Sequence, residues 1–311
     1  MSSSTTLEIE PRGPFDLRAS AAFLAGFTPL QDTAQQPAAP EELVTAFTVD
    51  GEWSPQGVRV LQDPDGTVRC QFASPAGSAA RDQVRRMLCL DIDGSALDQV
   101  AARDPHVADL MRRAPGLRPV LFASPYEAAA WSVLSQRVRM TQAAAVRARL
   151  CAELGDVVDI AGVRRTVFPR PDTLLRSAAD LSLPDTARDR LQAVARAALD
   201  GQLDAAMLRS LDPQDALRRL LTIHGIGPFS AELTLVRGAG SPDMFPAQER
   251  RLRKVLSRVY HHSADDDQYF AEVSRAWSPL RSWVCFLFRT TEAIPLMFSA
   301  RKLTPRKESP V

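Results

Sequence analysis

The sequence predicts an α+β N-terminal domain built on an antiparallel sheet, followed by an all-α domain. Three observations carry this prediction. Between Phe15 and Leu110, short runs alternate apolar and polar residues around the turn signal Asp63-Pro64-Asp65-Gly66, as hairpin strands do. From Ser124 onward strand signals nearly vanish and helical spacing takes over. Pro115 and Pro119 mark the change between the two patterns.

Taken in order, residues 1–12 read as a polar tail, 13–117 as the α+β domain, 118–300 as the all-α domain and 301–311 as a second tail. In the first domain a short helix is expected from Phe15 to Gly26. Strands are expected over Glu42–Val49, Gly57–Leu61 and Thr67–Phe72, and helices over Ala79–Leu88 and Gly94–Ala102. In the second, Pro125 with Glu127 opens a helix that carries Trp131, Val133 and Leu134 to Gln136. Further helices are expected at about 141–154, 171–177, 187–200, 213–221, 228–238, 248–260, 266–276 and 279–289.

With 311 residues, 45% of them hydrophobic, the chain can bury a sizeable core. Its net charge of +1 gives no general basic field, although a local arginine face can bind nucleic acid on a neutral protein. Cys70, Cys89, Cys151 and Cys285 are scattered and have neither zinc nor iron–sulfur spacing, so reduced buried thiols and no metal are expected. The polar start is unlike a signal peptide and no apolar run is long enough to cross a bilayer, which points to the cytosol.

The most informative stretch is Leu220-Leu221-Thr222-Ile223-His224-Gly225-Ile226-Gly227-Pro228-Phe229-Ser230-Ala231-Glu232. A helix end runs into Gly-Ile-Gly, and Pro228 then starts a second helix. Gly225 and Gly227 can take backbone angles closed to other residues and leave amides free for an anion. Such a turn grips a nucleic-acid phosphate without reading a base. About twenty residues on, Asp243-Met244-Phe245-Pro246-Ala247-Gln248-Glu249-Arg250-Arg251-Leu252 places an acid at the start of another helix.

These two pieces and their spacing resemble the helix-hairpin-helix DNA glycosylases of the 3-methyladenine glycosylase II type. Ala123-Ser124-Pro125-Tyr126-Glu127, Phe168-Pro169-Arg170-Pro171 and Trp277-Ser278-Pro279-Leu280-Arg281-Ser282-Trp283 look like further pieces of the family in the same order. The resemblance implies a TATA-binding-protein-like N-terminal sheet and a monomeric enzyme acting on double-stranded DNA that contains a damaged base. In the family the hairpin often holds a monovalent cation, a role open here to the carbonyls of Ile223 and Ile226.

Residue by residue, the resemblance puts Glu249 in the place of the family's catalytic Asp, where a carboxylate stabilises the sugar cation formed as the glycosidic bond breaks. The lysine of strand-nicking relatives is replaced by Phe229, which implies hydrolysis without lyase action. Phe229, Leu233 and Arg289 occupy positions that line the family's pocket for a flipped base, and Trp131 and Trp283 are further candidates for it. Arg289 would repel a cationic base and hydrogen-bond a neutral one. Gln136 and Arg137 stand where the family pushes a side chain into the vacated base stack. Gly225, Gly227, Ile223, His224, Arg250 and Arg251 are the expected contacts to the DNA strand. Glu in place of Asp leaves open a second reading, a DNA-lesion-binding relative without catalysis.

Overall fold

The computed structural model of the chain describes residues 5–27, 42–177 and 182–290. Its sheet contains β1 (Thr6–Ile9), β2 (Glu42–Thr48), β3 (Pro55–Gln62) and β4 (Val68–Phe72) in the order β1-β4-β3-β2, antiparallel throughout. Strict alternation along β4 buries Val68, Cys70 and Phe72 on one face. Helix α1 (Leu17–Gly26) and helix α2 (Ser78–Met87) contribute Leu17, Ala80 and Val84 to the same core.

Residues 6–9, expected to be part of a tail, form a strand instead. Leu7 and Ile9 alternate with exposed Thr6 and Glu8, and β1 adds to β4 with Leu7 opposite Cys70. Four residues of alternation are enough when a ready sheet edge supplies the backbone partners. Residues 1–4 and the expected tail at 301–311 lie outside the described residues, as does the expected domain end at 300.

The packing also redraws the boundary expected at 117/118. Helix α3 (Ala96–Arg103) and helix α4 (Pro105–Arg113), which precede it, pack with α12 (Arg250–Tyr260), α13 (Asp267–Arg275) and α14 (Arg281–Thr290). Leu97, Val100 and Leu110 share one apolar core with Leu252, Phe270 and Trp277. Asp104 locks this lobe: it caps α4 by accepting the His106 amide, and its other oxygen accepts from Trp277 Nε1 at 2.8 Å and the Tyr260 hydroxyl at 2.5 Å. Helix α4 escapes a reading by periodicity because it is short and follows α3 with only Asp104 between.

A second helical core joins α5 (Pro125–Leu134), α6 (Met140–Leu154), α7 (Pro171–Arg176), α8 (Asp185–Leu199), α9 (Ala205–Ser210), α10 (Pro213–Leu220) and α11 (Pro228–Leu233). Strands do not vanish after Ser124 as expected. A hairpin of β5 (Val157–Ile160) and β6 (Val163–Thr166) leaves α6 and packs on the N-terminal sheet, with Val158 and Ile160 over Gly57. Its strands are too short, and its outer residues too polar, to stand out in the sequence.

The expected continuous helix at 228–238 changes pitch. After Leu233 the chain runs as a π-helix from Thr234 to Ala239 and stops at Gly240 in the left-handed region. Gly238 lets this segment lie against α5, since a Cβ there would press on Pro125 and Ala128. From the other side Arg86 of α2 reaches across. Buried at 6% exposure, it donates to the carbonyls of Gly238 and Ala123 and pairs with Asp50 at 2.6 Å.

Removing this arginine strands a buried carboxylate and two carbonyls. Arg86→Ala is therefore expected to lose about 3 kcal/mol of stability in urea unfolding. A loss below about 1 kcal/mol would show that the sheet lobe and the π-helix are held together by other contacts.

Candidate active site and nucleic-acid interface

The hairpin forms as its sequence requires. Asp212 caps α10 by accepting the Gln214 amide, Pro213 opens the helix, and Leu220 and Ile223 are buried beneath its end. The Ile226 amide donates to the Ile223 carbonyl at 3.0 Å, closing the turn. Gly225 sits at φ +90°, and a side chain there would collide with the stem of Arg190. Gly227 has extended backbone angles and open space where a Cβ would stand, and it begins α11 with no side-chain cap. The start of α11 thus presents unsatisfied amides outward. His224 is exposed beside them.

The loop after α5 is tied to this turn. Gln136 donates from Nε2 to the Gly225 carbonyl at 2.9 Å, and its Oε1 accepts from Arg190. Gln136, expected as a DNA contact, thus has both ends of its amide bonded inside the protein, with one N–H of Nε2 left over. Arg137, the next residue, is exposed and held at φ +57°, so the clamp projects it from the surface next to the hairpin.

Glu249 is half-buried and caps α12. Its Oε1 accepts the Arg251 amide at 3.0 Å, while its Oε2 lies 3.8 Å from Arg289 Nε at the end of α14. Thus a carboxylate from one helix start meets a guanidinium from the last turn of another. The segment that delivers Glu249 is fixed at both ends. At its start Asp243 accepts from Arg281 and Ser278, and the Met244 amide donates to Ser282. Burial alone would raise the Asp243 carboxyl, but the hydrogen bonds from Arg281 and Ser278 hold it below its ordinary value. At its far end the Gln248 amide donates at 2.8 Å to Oε2 of Glu232, which lies on α11 directly after the hairpin. The acid loop and the hairpin are therefore joined through Glu232.

Glu232 is one of two groups here that the sequence reading passed over. Only 7% exposed, its carboxyl is pushed up to about 7 by burial, against the pull of the Gln248 and Ala247 amides and with added repulsion from Glu249. The other is Arg237, on the π-helix. Its guanidinium packs 4.9 Å from the Phe27 ring centre and 5.2 Å from that of Phe286, and donates to the Val120 carbonyl at 2.7 Å. Burial lowers it to about 10, and its Nε has no hydrogen-bond partner. A charged residue inside an otherwise apolar helical run was the available signal for both.

The expected pocket residues divide. Leu233 is half-buried against the cluster of Phe122 and Trp131, and Phe27 from the end of α1 joins it there. Phe229 stands 45% exposed at the start of α11. Trp131 and Trp283 do not join the other expected pocket residues, which corrects the expectation for both. Each is 3% exposed: Trp131 is core, and Trp283 stacks on Arg118 and, with Leu97 and Met111, lines an apolar cavity of about 380 Å³ whose walls include none of Phe229, Leu233 and Arg289. Arg250 and Arg251 are exposed on the first turn of α12, the helix end where positive charge is least favoured. The four cysteines are buried and free, and among the described residues no three His, Cys, Asp or Glu side chains gather to hold a metal.

No family model matches the chain. It is 26% identical over 204 residues to a DNA-3-methyladenine glycosylase of Bacillus subtilis, covering 63% of this chain and 67% of that one. It is 29% identical over 219 residues to a probable bifunctional transcriptional activator/DNA repair enzyme AlkA of Mycobacterium tuberculosis, covering 70% of this chain but only 43% of that longer protein. A solved 3-methyladenine DNA-glycosylase from Archaeoglobus fulgidus superposes with a TM-score of 0.74 at 19% identity, covering 92% of this chain and 98% of that one. In sequence and in fold the chain is similar to the helix-hairpin-helix DNA glycosylases. Its small antiparallel sheet followed by a helical body is consistent with that fold.

The two hairpin glycines separate in their demands. Gly225→Ala is expected to cost about 1–2 kcal/mol in urea unfolding, because the left-handed angle and the Arg190 stem both oppose a methyl group. Gly227→Ala is expected to change stability by less than about 0.5 kcal/mol. Equal costs at the two sites would contradict this turn geometry.

Proposed function

We propose that the chain is a monofunctional DNA glycosylase that hydrolyses the N-glycosidic bond of a modified, alkylated base flipped from duplex DNA. The observation that carries this reading is the placement of Glu249. Its carboxylate is held by a helix start and by Arg289, on a loop pinned through Glu232 to the hairpin. Departure of the base leaves positive charge on the sugar, and a carboxylate kept partly out of water stabilises that charge strongly. The names of the bacterial relatives agree with this chemistry.

In this reading the amides at Gly225 and Gly227 hold one phosphate, with a monovalent cation bridging at Ile223 and Ile226. Arg250 and Arg251 hold others, which balances two cations at an unfavourable helix end. Arg137 fills the gap left by the flipped base. Phe229 and Leu233 flank that base, and Arg289 favours a neutral modified base over a cationic one. Water is the nucleophile, and the strand stays intact until it is treated with alkali.

A second reading, a lesion binder without catalysis, draws on the same carboxylate. One oxygen of Glu249 serves its own helix and the other faces Arg289, so both are engaged in the free protein.

Single-turnover base release from duplexes carrying alkylated, deaminated or oxidised bases separates the readings. The enzyme predicts release from at least one neutral alkylated base, and Glu249→Gln slows it at least about a hundredfold while duplex affinity stays within about threefold. Absence of release from every duplex, with binding intact, would favour the lesion binder. Removing Arg250 or Arg251 is expected to flatten the salt dependence of binding by about one unit of slope each.

A further inference from the structure

Glu232 is a buried acid that the proposed reaction does not itself require. It is 7% exposed, sits on α11 five residues past Gly227, and accepts the Gln248 amide at 2.8 Å. That amide immediately precedes Glu249, whose own amide bends back to the Pro246 carbonyl at 3.2 Å. At the other end of the loop, Arg281 and Ser282 of α14 already hold Asp243 and Met244. Glu232 is the α11 side chain that accepts the amides of the last residues before the carboxylate.

We propose that Glu232 is the positioning residue for Glu249, fixing the turn from which that carboxylate meets the sugar by accepting the backbone amide of Gln248. The proposal rests on the glycosylase reading for its catalytic consequence, but the anchoring itself does not. Glu249 at the start of α12 repels Glu232, and Cys285 on α14 is held neutral by burial, which pushes its thiol well above the ordinary value. Of the cations nearby, Arg289 and Arg237 act on Glu249, and Arg281 acts on Cys285 and pairs with Asp243. The ionised form of Glu232 is the better acceptor, so it holds the turn more tightly than the protonated form does.

Two opposite pH effects follow, and the sign of each is fixed. Burial raises the folded carboxyl from 4.5 to about 7, so between those values the folded protein binds more protons than the unfolded chain. Stability therefore falls as pH rises through that window. Base release rises over its upper part, as Glu232 ionises and grips the turn.

The test compares the full chain with Glu232→Gln and Glu232→Ala. Gln keeps an acceptor for the amide but cannot titrate, whereas Ala keeps neither. Glu232→Ala should slow single-turnover release about a hundredfold, from a displacement near one ångström, with affinity for an uncleavable abasic-analogue duplex unchanged. Glu232→Gln should retain most of the rate and lose its rise near pH 7. In the free protein, amide exchange at Gln248 should quicken about tenfold or more in Glu232→Ala, with distant helices unaffected. Urea unfolding of Glu232→Gln should lose the decline in stability from about pH 5 to about pH 8. If Glu232→Ala released base as fast as the unaltered chain, or if the rate of Glu232→Gln still rose near pH 7, the positioning role would be overturned. Should the unaltered chain release no base, the glycosylase reading falls. Gln248 exchange and the stability profile then decide the anchoring alone, and unchanged values in both variants would overturn it.

Discussion

A carboxylate shared between two helix ends governs the arrangement of this protein. Glu249 belongs to α12 through its cap on the Arg251 amide and to α14 through Arg289, and its loop belongs to α11 through Glu232. Three helices from two separate apolar cores must therefore arrive in register for one oxygen pair to be held. Helix α11 belongs to the core that carries the hairpin, whereas α12 and α14 belong to the core shared with α3 and α4. The acid loop thus bridges the core that carries the hairpin and the core shared with α3 and α4.

The remaining structure makes that meeting rigid. Arg86 brings the sheet lobe onto the π-helix by bonding the Gly238 carbonyl, and Arg237 on that segment is wedged among Phe23, Phe27 and Phe286. A π-helix widens the turn by one residue and so changes which side chains face inward. Here it points a guanidinium at the apolar region next to Glu249 and Arg289. On the hairpin side, Gln136 couples the Arg137 loop to the Gly225 carbonyl.

Much of this was legible in the sequence, for identifiable reasons. Helix starts announced themselves chemically: Asp212-Pro213, Ser124-Pro125 and Gly227-Pro228 each placed a proline in the first turn. Turn glycines and the acid at a helix start were likewise local features, and the hairpin and Glu249 followed from them. What stayed hidden depended on distant partners. The strand at Thr6–Ile9 needs β4 beside it, and α3 and α4 join α12 to α14 only because Leu97, Val100 and Leu110 find Leu252 and Phe270. Trp131 and Trp283 have the aromatic chemistry of a base pocket, but burial among other side chains decided their role. Glu232 and Arg237 looked like ordinary helix charges, because sequence alone does not say which face of a helix is covered.

The most direct measurement of the central claim is a crystal structure of the chain on a duplex in which a cationic pyrrolidine replaces one sugar. Charge on that ring imitates the charge that develops as the base departs. The account predicts an oxygen of Glu249 within about 4 Å of the ring nitrogen, with a neighbouring phosphate against the Gly225–Gly227 turn. A ring bound elsewhere, with Glu249 still closed on Arg289 alone, would contradict it.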